Sequence, residues 1–376
     1  MIPFNRPYVS GSELTYIASA IASGKLSGDG VFTKKCHAFF ESYYSFRKVL
    51  LTTSCTDALE MAAILLNIKP GDEVIAPAFT FVSTVNAFVL RGASIIFADS
   101  SENNPNIDAA AIRTLITSKT KAIIVVHYAG VACDMGQIMT VATEHGIPVI
   151  EDAAQAIDSY YEGQPLGGIG ALGTLSFHET KNIICGEGGL LIINDFSLAS
   201  RAEVIREKGT NRSAFFRGEI DKYGWTDIGS SFLPSDIVSA FLFAQLENLK
   251  KIQLRRIKIW EQYRVFFEKE VHLTNRFRLC GIPDFATNNA HMFYLVCDSL
   301  STRSGLIDFL RSNGVHAVFH YLSLHRSPYY SAKYCGNELI HCDRYADCLV
   351  RLPLYYDMSN ADVARVSNLC IEYFRQ

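Results

Sequence analysis

The chain has 376 residues, of which 49% are apolar and 19% are charged, and its formal net charge is −3. This composition is that of an ordinary globular protein without a long disordered tail, and its length is two to three times the usual ~150 residues of a domain. The slightly negative charge gives no reason to expect nucleic acid or an anionic membrane as a partner.

The first half of the chain alternates between predicted helices and strands. Two helices come first, at about Ser10–Ser23 and Thr33–Tyr44. A strand at Val49–Leu51 then leads through a run of hydroxyl residues into a helix at Ala58–Leu66. From there strands and helices take turns, beginning with a strand: Glu73–Ala76, Phe81–Arg91, Ser94–Ala98, Asp108–Thr117, Ala122–Val126, Met135–His145 and Ile147–Ile150.

These strands are mostly continuous apolar runs, which is typical of strands covered by helices on both faces. Strands that alternate with helices in this way form a mostly parallel sheet with right-handed crossovers. Ligands of such a sheet bind beyond the carboxyl ends of its strands. The sequence therefore predicts an α/β domain whose functional residues follow its strands.

The pattern changes after residue 195. A helix is predicted at Ser197–Lys208, then a polar segment to about Phe232, then one long helix at about 234–270. The basic residues of this long helix are predicted to form one solvated face: Lys250, Lys251, Arg255, Arg256 and Lys258. The chain ends with two strands and two helices: Met292–Cys297, His316–Phe319, Ser304–Ser312 and Asp362–Phe374. We therefore predict a large α/β domain at 1–245 and a smaller α+β domain at 246–376.

No targeting signal is evident in the sequence. The start of the chain has neither the basic segment nor the apolar run of a secretory signal. No apolar stretch approaches the ~20 residues that span a bilayer. The ten cysteines are scattered, which is typical of buried thiols in a reducing compartment. We therefore expect a cytoplasmic protein without a membrane partner.

Three features follow predicted strands and so fall at the ligand-binding edge of the sheet: the turn Ser54–Asp57, Asp152, and Lys181 with Ser176 before it. A hydroxyl-rich turn that opens a helix suits a phosphate, because free N–H groups face it. A carboxylate can hold a protonated ring nitrogen, and a desolvated lysine attacks carbonyls as the free amine. Together these are the three attachments that pyridoxal phosphate needs. Each feature considered alone has a structural explanation: the hydroxyl residues of the turn would cap the helix, and the lysine would lie in a surface loop.

Ten stretches that include these residues span the chain: Thr53–Leu59, Gly71–Ile75, Phe79–Thr84, His127–Gly130, Glu151–Gln155, Ser176–Asn182, Gly186–Gly189, Arg206–Arg212, Ala290–Tyr294 and His320–His325. In these stretches the chain resembles the DegT/DnrJ family of sugar aminotransferases over effectively its full length. The resemblance implies the aspartate-aminotransferase-like fold, fold type I of the pyridoxal-phosphate-dependent transferases. That fold has a mostly parallel seven-stranded sheet in the large domain and a smaller α+β C-terminal domain. Met1–Asn5 and Ser176–Asn182 are most similar to the branch that forms dTDP-4-amino-4,6-dideoxygalactose.

The resemblance implies a role for each residue around the cofactor. Lys181 forms a Schiff base with pyridoxal phosphate and then moves protons between the cofactor and the substrate carbon. The cofactor is expected to pass through its pyridoxamine phosphate form during turnover. The other contacts implied are Asp152 at the ring nitrogen, Gln155 near the 3-hydroxyl, Phe81 on the ring face, and Thr56, the backbone of Asp57 and Ser176 at the phosphate.

One position departs from the family pattern. Many relatives carry an asparagine that reaches across a homodimer interface to the phosphate in the partner's site. Here Ser231 stands at that position. The resemblance therefore implies a homodimer with its active site at the subunit interface, and it leaves open whether the shorter Ser231 makes this contact.

Five residues are candidates for binding the substrate: Arg212, Arg217, Tyr223, His320 and His325. The first three either clamp a nucleotide diphosphate or belong to a solvated loop. The two histidines, with His178, would also suit a metal, but the second histidine of a zincin motif and a suitably spaced cysteine are missing, so we expect no metal. Gly168–Gly173 has the letters of a dinucleotide fingerprint but precedes a strand, so we expect no NAD or FAD there.

The resemblance implies transfer of an amino group from L-glutamate to dTDP-4-keto-6-deoxy-D-glucose. The implied product is dTDP-4-amino-4,6-dideoxy-D-galactose, a precursor for surface polysaccharides such as lipopolysaccharide O-antigen and enterobacterial common antigen. The sequence leaves open the gluco epimer, the nucleotide, and transfer to C3 of a 3-keto sugar. Two further alternatives are a cofactor-dependent sugar dehydratase, a class that has lost the lysine found here at Lys181, and a non-catalytic regulatory protein on the same fold.

Overall fold

The computed structural model describes residues 1–271, 275–279 and 281–376. Nine strands lie in its first 200 residues: β1 (Val49–Thr52), β2 (Glu73–Pro77), β3 (Ser94–Ala98), β4 (Thr120–Val126), β5 (Val149–Asp152), β6 (Tyr160–Tyr161), β7 (Gln164–Pro165), β8 (Leu172–Ser176) and β9 (Gly189–Ile193). Strands β6 and β7 form a small hairpin, and the other seven form one sheet in the order β1-β9-β8-β5-β4-β2-β3. Only β9 runs against the rest, pairing antiparallel with β1 and β8. The predicted mostly parallel seven-stranded sheet is therefore confirmed.

The helices of this part are α1 (Glu13–Ala22), α2 (Val31–Tyr43), α3 (Cys55–Leu65), α4 (Ser83–Val89), α5 (Ala109–Leu115), α6 (Met135–His145) and α7 (Ala199–Arg206). Those from α2 onward cover the two faces of the sheet. Strand β2 illustrates the layering, since successive side chains of a strand point to opposite faces. Val74 and Ala76 join the core under α3 and α4, whereas Ile75 joins the core under α5 and α6. Both faces are therefore apolar, as the continuous apolar runs predicted.

The C-terminal part contains a second sheet and further helices: α8 (Arg212–Phe216), α9 (Asp236–Glu247), α10 (Leu249–Glu270), β10 (Phe277–Arg278), β11 (Phe293–Cys297), α11 (Leu300–Ser312), β12 (Val318–Phe319), α12 (Ile340–Cys348), β13 (Leu349–Leu352) and α13 (Asn360–Phe374). The four strands are antiparallel in the order β10-β11-β13-β12. Helices α10, α11 and α13 pack on them, and Ile2 from the start of the chain enters the same core. No helix within the described ranges is long and apolar enough to cross a membrane.

The prediction of one long helix at about 234–270 is wrong. The segment forms α9 and α10, which are separated at Asn248, where the backbone leaves helical geometry with φ −100° and ψ 7°. The Asn248 side-chain amide donates to the carbonyl of Ala244, and asparagine competes in this way with helix continuation. The break lets α9 pack on α1 and α2 while α10 packs on α13.

The basic residues of this segment do not form one solvated face. Lys250, Lys251 and Lys258 are exposed, but Arg256 is buried. Its Nε donates to the carbonyl of Ala290 at 3.1 Å, and its Nη2 donates to the carbonyl of His291 at 2.8 Å. Helical spacing explains the error, because residues 250, 251 and 258 lie on a different side of the helix from residue 256.

Candidate active site

A cavity of about 1170 Å³ opens at the carboxyl ends of the parallel strands. One wall comes from segments that follow β1, β2, β5 and β8 of the large sheet. The opposite wall comes from the small sheet and its connections, including His291, the segment 318–322 and Arg351. This is the place where an α/β sheet binds its ligands.

Lys181 lies in the loop between β8 and β9 and lines this cavity. The loop is pinned at its base, where Phe177 N–H donates to the carbonyl of Gly188 at 2.9 Å. Burial lowers the pKa of the Lys181 amine, and the charge of Arg351 lowers it further, while Cys55 and Asp152 act in the opposite direction. The loop thus presents an amine whose neutral, nucleophilic form is favoured.

Asp152 ends β5, beside the strand that leads to Lys181. Thr84 Oγ1 donates to its Oδ2 at 2.7 Å, and the N–H of Ala154 donates to its Oδ1 at 3.1 Å. Burial raises the pKa of Asp152, and these two hydrogen bonds together with Lys181 counteract that effect. The carboxylate is therefore held in a fixed position at the cavity wall, where it can accept a bond from a protonated ring nitrogen.

The turn into α3 forms a third part of the wall. Ser54 Oγ caps the helix by accepting the N–H of Asp57 at 3.0 Å, and Thr56 Oγ1 donates to Ser83 Oγ at 2.9 Å. Strand β9 passes directly behind, since a Cβ on Gly189 would lie 2.3 Å from the Ser54 carbonyl. Hydroxyls from Ser54, Thr56, Ser83 and Ser176 line the cavity at the N-terminus of this helix, which suits a phosphate.

These residues fit pyridoxal phosphate. The amine suits its aldehyde, the buried carboxylate suits its ring nitrogen, and the hydroxyl cup suits its phosphate. Phe81, 55% exposed in this chain, presents its ring to the same cavity, 6.1 Å from the ring of Tyr321. Gln155 is fixed there as well, because its Oε1 accepts the N–H of Ala129 at 2.7 Å and its Nε2 donates to Tyr321 at 2.8 Å.

Two other predicted cofactor contacts are placed differently. Asp57 does not line the cavity, and its backbone N–H is already bonded to Ser54. Its carboxylate accepts a hydrogen bond from Thr53 Oγ1. Ser231 is exposed outside the cavity of its own chain and forms a β-bridge with Glu207. Their roles toward the cofactor stay predictions.

The three predicted clamp residues also lie outside this cavity. Arg217 pairs with Glu203 at 2.8 Å and with Glu219 at 2.7 Å. Arg212 is 4.0 Å from Glu207, and the ring of Tyr223 packs at 5.5 Å against another side chain of the same segment, Phe215. Within one chain they are therefore part of a surface network, and a contact with substrate remains a prediction.

His320 and His325 are both buried but in different surroundings. His320 lines the cavity, with Nδ1 2.6 Å from the hydroxyl of Tyr128 and its ring stacked 3.5 Å from that of Tyr321. Burial lowers the pKa of His320, so the ring is neutral. His325 lies outside the cavity wall, with Nε2 3.6 Å from the carboxylate of Asp343.

Cys342 completes a group with His325 and Asp343 that the sequence spacing did not predict. Their potential ligand atoms lie within 4.8 Å of one another. The Cys342 thiol is 3.4 Å from Ser323 Oγ, to which it donates, and burial raises the pKa of this thiol. Because a metal binds the thiolate, this arrangement favours a hydrogen-bonded thiol.

Sequence reasoning missed several residues that hold the site. Asn182 donates through Nδ2 to Gln253 and to the carbonyl of Asn289, each at 2.8 Å, and its Oδ1 lies 3.0 Å from Nδ1 of His291. Asn289 in turn donates to the carbonyl of Gln155 at 2.8 Å. Asn182, His291 and Thr84 lie inside the matched stretches, so the resemblance contained a signal for them. Arg351 lies in none of these stretches.

Comparison with known proteins agrees with this geometry. The model of the DegT/DnrJ/EryC1/StrS aminotransferase family matches residues 7–370. Among solved structures, the chain is similar to the aminotransferase TlmJ from Streptoalloteichus hindustanus, with 28% identity, a TM-score of 0.91, and 100% of this chain and 99% of that chain covered.

Two further structures share the fold. One is the putative sugar aminotransferase Spr1654 from Streptococcus pneumoniae in its PMP form, with 24% identity, a TM-score of 0.92 and coverage of 100% and 99%. The other is PseC from Helicobacter pylori, an aminotransferase involved in the biosynthesis of pseudoaminic acid, with 21% identity, a TM-score of 0.90 and coverage of 100% and 99%. The protein belongs to the DegT/DnrJ/EryC1/StrS aminotransferase family and is a pyridoxal-phosphate-dependent aminotransferase.

Proposed function

We propose that this protein moves an amino group from L-glutamate to C4 of dTDP-4-keto-6-deoxy-D-glucose. The proposed product is dTDP-4-amino-4,6-dideoxy-D-galactose, made in the cytoplasm for surface polysaccharides. The observation that carries the amino transfer is that Lys181 and Asp152 line one cavity at the ends of neighbouring strands. The cysteines of the described residues are free thiols, in keeping with a reducing compartment.

Two observations support a sugar nucleotide as the acceptor. The cavity of about 1170 Å³ exceeds the roughly 300–1,000 Å³ of most small-molecule sites, which leaves room for a cofactor and a large second substrate. Spr1654 bears the name of a putative sugar aminotransferase, and PseC acts in pseudoaminic acid biosynthesis. The galacto product and the dTDP group rest on the resemblance of Met1–Asn5 and Ser176–Asn182 to that branch of the family.

Lys181 is the catalytic base in this proposal. Pyridoxal phosphate supplies the electron sink on which amino transfer depends. Lys181 Nζ would hold the cofactor through its aldehyde, and as the free amine it would take the proton from the donor's α-carbon. Burial lowers the pKa of Lys181 and so favours the neutral amine, which is the form that accepts a proton. In the second half-reaction the same atom would deliver a proton to C4 of the sugar.

The other residues orient the reaction. Asp152, fixed by Thr84 and Ala154, would hold the protonated ring nitrogen and so favour electron withdrawal into the ring. Phe81 would lie against the face of the ring. The hydroxyls of Thr56 and Ser176 would bind the phosphate at the positive end of α3.

The test compares the purified protein with Lys181→Ala and with Lys119→Ala, a control that changes an exposed lysine away from the cavity. After addition of cofactor, wild type and the control should gain a visible absorption band that glutamate removes and dTDP-4-keto-6-deoxy-D-glucose restores. The Lys181→Ala variant should not gain this band and should not respond to glutamate or to the sugar nucleotide, since it lacks the amine that binds the aldehyde. The coupling pattern of the sugar product in an NMR spectrum then gives the configuration at C4.

The outcomes separate the alternatives. A gluco configuration at C4 would replace the proposed product by its epimer and keep the amino transfer. Loss of a hydroxyl group without glutamate-dependent amine formation would mean a sugar dehydratase. A wild-type protein that gains no absorption band would refute the enzymatic proposal and favour a regulatory role.

We also propose that the active unit is a homodimer. Large apolar side chains are exposed in two segments, on α1 with Leu14 and Ile21 and in the segment 210–231 with Phe216 and Trp225. A second copy would remove these surfaces from water, which is the main favourable term in protein association. In such a dimer Ser231 would be available to the partner's cavity, as the resemblance implies.

A further inference from the structure

Arg351 stands out among the residues of the active-site cavity. It lies in the middle of β13, and its side chain faces the cavity that Lys181 also lines. Among the described residues that line the cavity, Lys181 is the one lysine and Arg351 is the one arginine. They are close enough for the positive charge of Arg351 to contribute to the lowered pKa of the Lys181 amine.

The guanidinium of Arg351 uses little of its hydrogen-bonding capacity. Nη2 donates to the carbonyl of Phe319 at 3.3 Å, and the group lies 4.7 Å from the ring centre of Phe4. Its Nε is buried without a hydrogen-bond partner, and no carboxylate among the described residues forms an ion pair with it. A guanidinium has five N–H donors in a planar fork, so most of this fork is available.

Arg351 is half-buried, with its Nε shielded from water, and a cation that loses water contact without gaining an anionic partner is destabilised. Burial lowers the pKa of Arg351, yet arginine remains protonated at physiological pH. The neighbouring basic side chains cannot share this role, because burial lowers the pKa of both His291 and His320 and leaves them neutral. Arg351 is therefore a fixed positive charge directed at a space that a ligand must enter.

We propose that Arg351 binds the α-carboxylate of the amino donor and so orients the donor in the cavity. This inference rests on the proposed function and names the donor subsite of that same cavity. The planar fork of a guanidinium matches a carboxylate in a bidentate manner, which fixes the orientation of the donor as well as its affinity. Fixing the donor places its α-carbon within reach of Lys181 Nζ.

The chemistry of the two substrates favours the donor over the diphosphate of the sugar nucleotide. When C4 of the sugar reacts near Lys181, the diphosphate on C1 lies across the full width of the pyranose ring. In glutamate the α-carboxylate is attached directly to the reacting carbon. A guanidinium whose charge acts on Lys181 is thus better placed for the donor.

The experiment uses the full-length protein loaded with cofactor and three variants: Arg351→Gln, Arg351→Lys and, as a control, Arg311→Gln, which changes an exposed arginine on α11. Glutamate alone is mixed with each protein, and the loss of the visible band gives the dissociation constant for glutamate in the first half-reaction. Calorimetric titration with 2-oxoglutarate measures carboxylate binding without turnover. The KM for the sugar nucleotide is measured separately.

In Arg351→Gln we expect the dissociation constants for glutamate and 2-oxoglutarate to rise about 30-fold or more, as when a buried charge partner is lost. The absorption band and the KM for the sugar nucleotide should stay near wild type, Arg351→Lys should recover part of the affinity, and Arg311→Gln should match wild type. Unchanged glutamate and 2-oxoglutarate binding in Arg351→Gln would overturn the inference. So would a rise confined to the KM for the sugar nucleotide, which would assign Arg351 to the diphosphate. Failure of the proposed function would be distinct, because wild type itself would then lack the absorption band or its response to glutamate.

Discussion

Burial shifts the pKa values of Lys181 and Asp152 in opposite directions. It lowers the pKa of the lysine and raises that of the aspartate, because a low-dielectric surrounding penalises both charged forms. For the lysine this effect is useful, since the neutral amine is the reactive form. For the aspartate it is opposed by hydrogen bonds from Thr84 and Ala154, which favour the carboxylate. The site thus combines a destabilised cation with a supported anion.

The lowered pKa of Lys181 predicts how cofactor capture depends on pH. The apoprotein is mixed with pyridoxal phosphate, and the rate at which the visible band appears is measured across the alkaline range. The rate should rise with pH as the ammonium loses its proton and should level off below pH 10.5, the value for an ordinary lysine. Nα-acetyl-lysine, measured in the same buffers, serves as the reference for a fully solvated amine. The prediction would be contradicted if the rate for the protein levelled off at the same pH as the rate for acetyl-lysine or at a higher pH.

At the scale of the element, the break at Asn248 lets the two helices of one segment pack on different parts of the molecule. Helix α9 packs with α1 and α2, and α10 packs with α13 beside the small sheet. Arg256 on α10 holds the carbonyls of Ala290 and His291, which places His291 beside the cavity. Helix α10 therefore connects the core of the small sheet to the active-site wall, a role that a solvated basic face would not provide.

Substitution of Arg256 by alanine should lower the free energy of unfolding of the apoprotein by about 2–3 kcal/mol, because two buried carbonyls lose their charged donor. Burial already lowers the pKa of Arg256 to about 10, which shows how little water surrounds it. Lys258→Ala is the matched control on the same helix, where an exposed side chain is removed and stability should change by less than ~0.5 kcal/mol. Denaturant unfolding measures both variants, and equal losses of stability would refute the assignment.

At the scale of the whole molecule, two surface segments, α1 and residues 210–231, expose large aromatic and aliphatic side chains. Trp225 is 83% exposed and Leu14 is 78% exposed. Ser231 and the clamp candidates Arg212 and Tyr223 lie in or next to one of these segments and outside the cavity of their own chain. These facts are consistent with a site completed by a second copy, since a two-fold interface brings each surface to its partner.

The proposed dimer is tested with a double variant that carries Leu14→Glu and Trp225→Glu. We expect wild type to have twice the mass of one chain in analytical ultracentrifugation and the double variant to sediment as a monomer, because two charges would be buried without partners. The monomer should also bind the cofactor more weakly. The control is Val265→Glu, which changes an exposed apolar residue on α10 and should remain dimeric. A wild-type monomer that binds cofactor fully would contradict the proposal.

The sequence by itself determined the sheet and the order of its functional residues. Continuous apolar runs identified the buried parallel strands, and Asp152 and Lys181 were recognisable because chemistry at a strand end is local in sequence. The same local signals failed where distant contacts decide. The helix break at Asn248 separates α9 and α10, which pack on different partners, and the short strands β10 and β13 are stabilised by pairing rather than by their own pattern.

Only the tertiary structure decided the environment of each charge. Nothing near position 351 or 256 in the sequence distinguishes those arginines from solvated ones, since the burial of Arg256 and of the Arg351 Nε depends on chain segments far away. Arg256 is placed by the segment 289–291 and Arg351 by the approach of the small sheet to the large one. Position along the chain thus revealed which residues carry the chemistry, and folding decided which of them share one cavity.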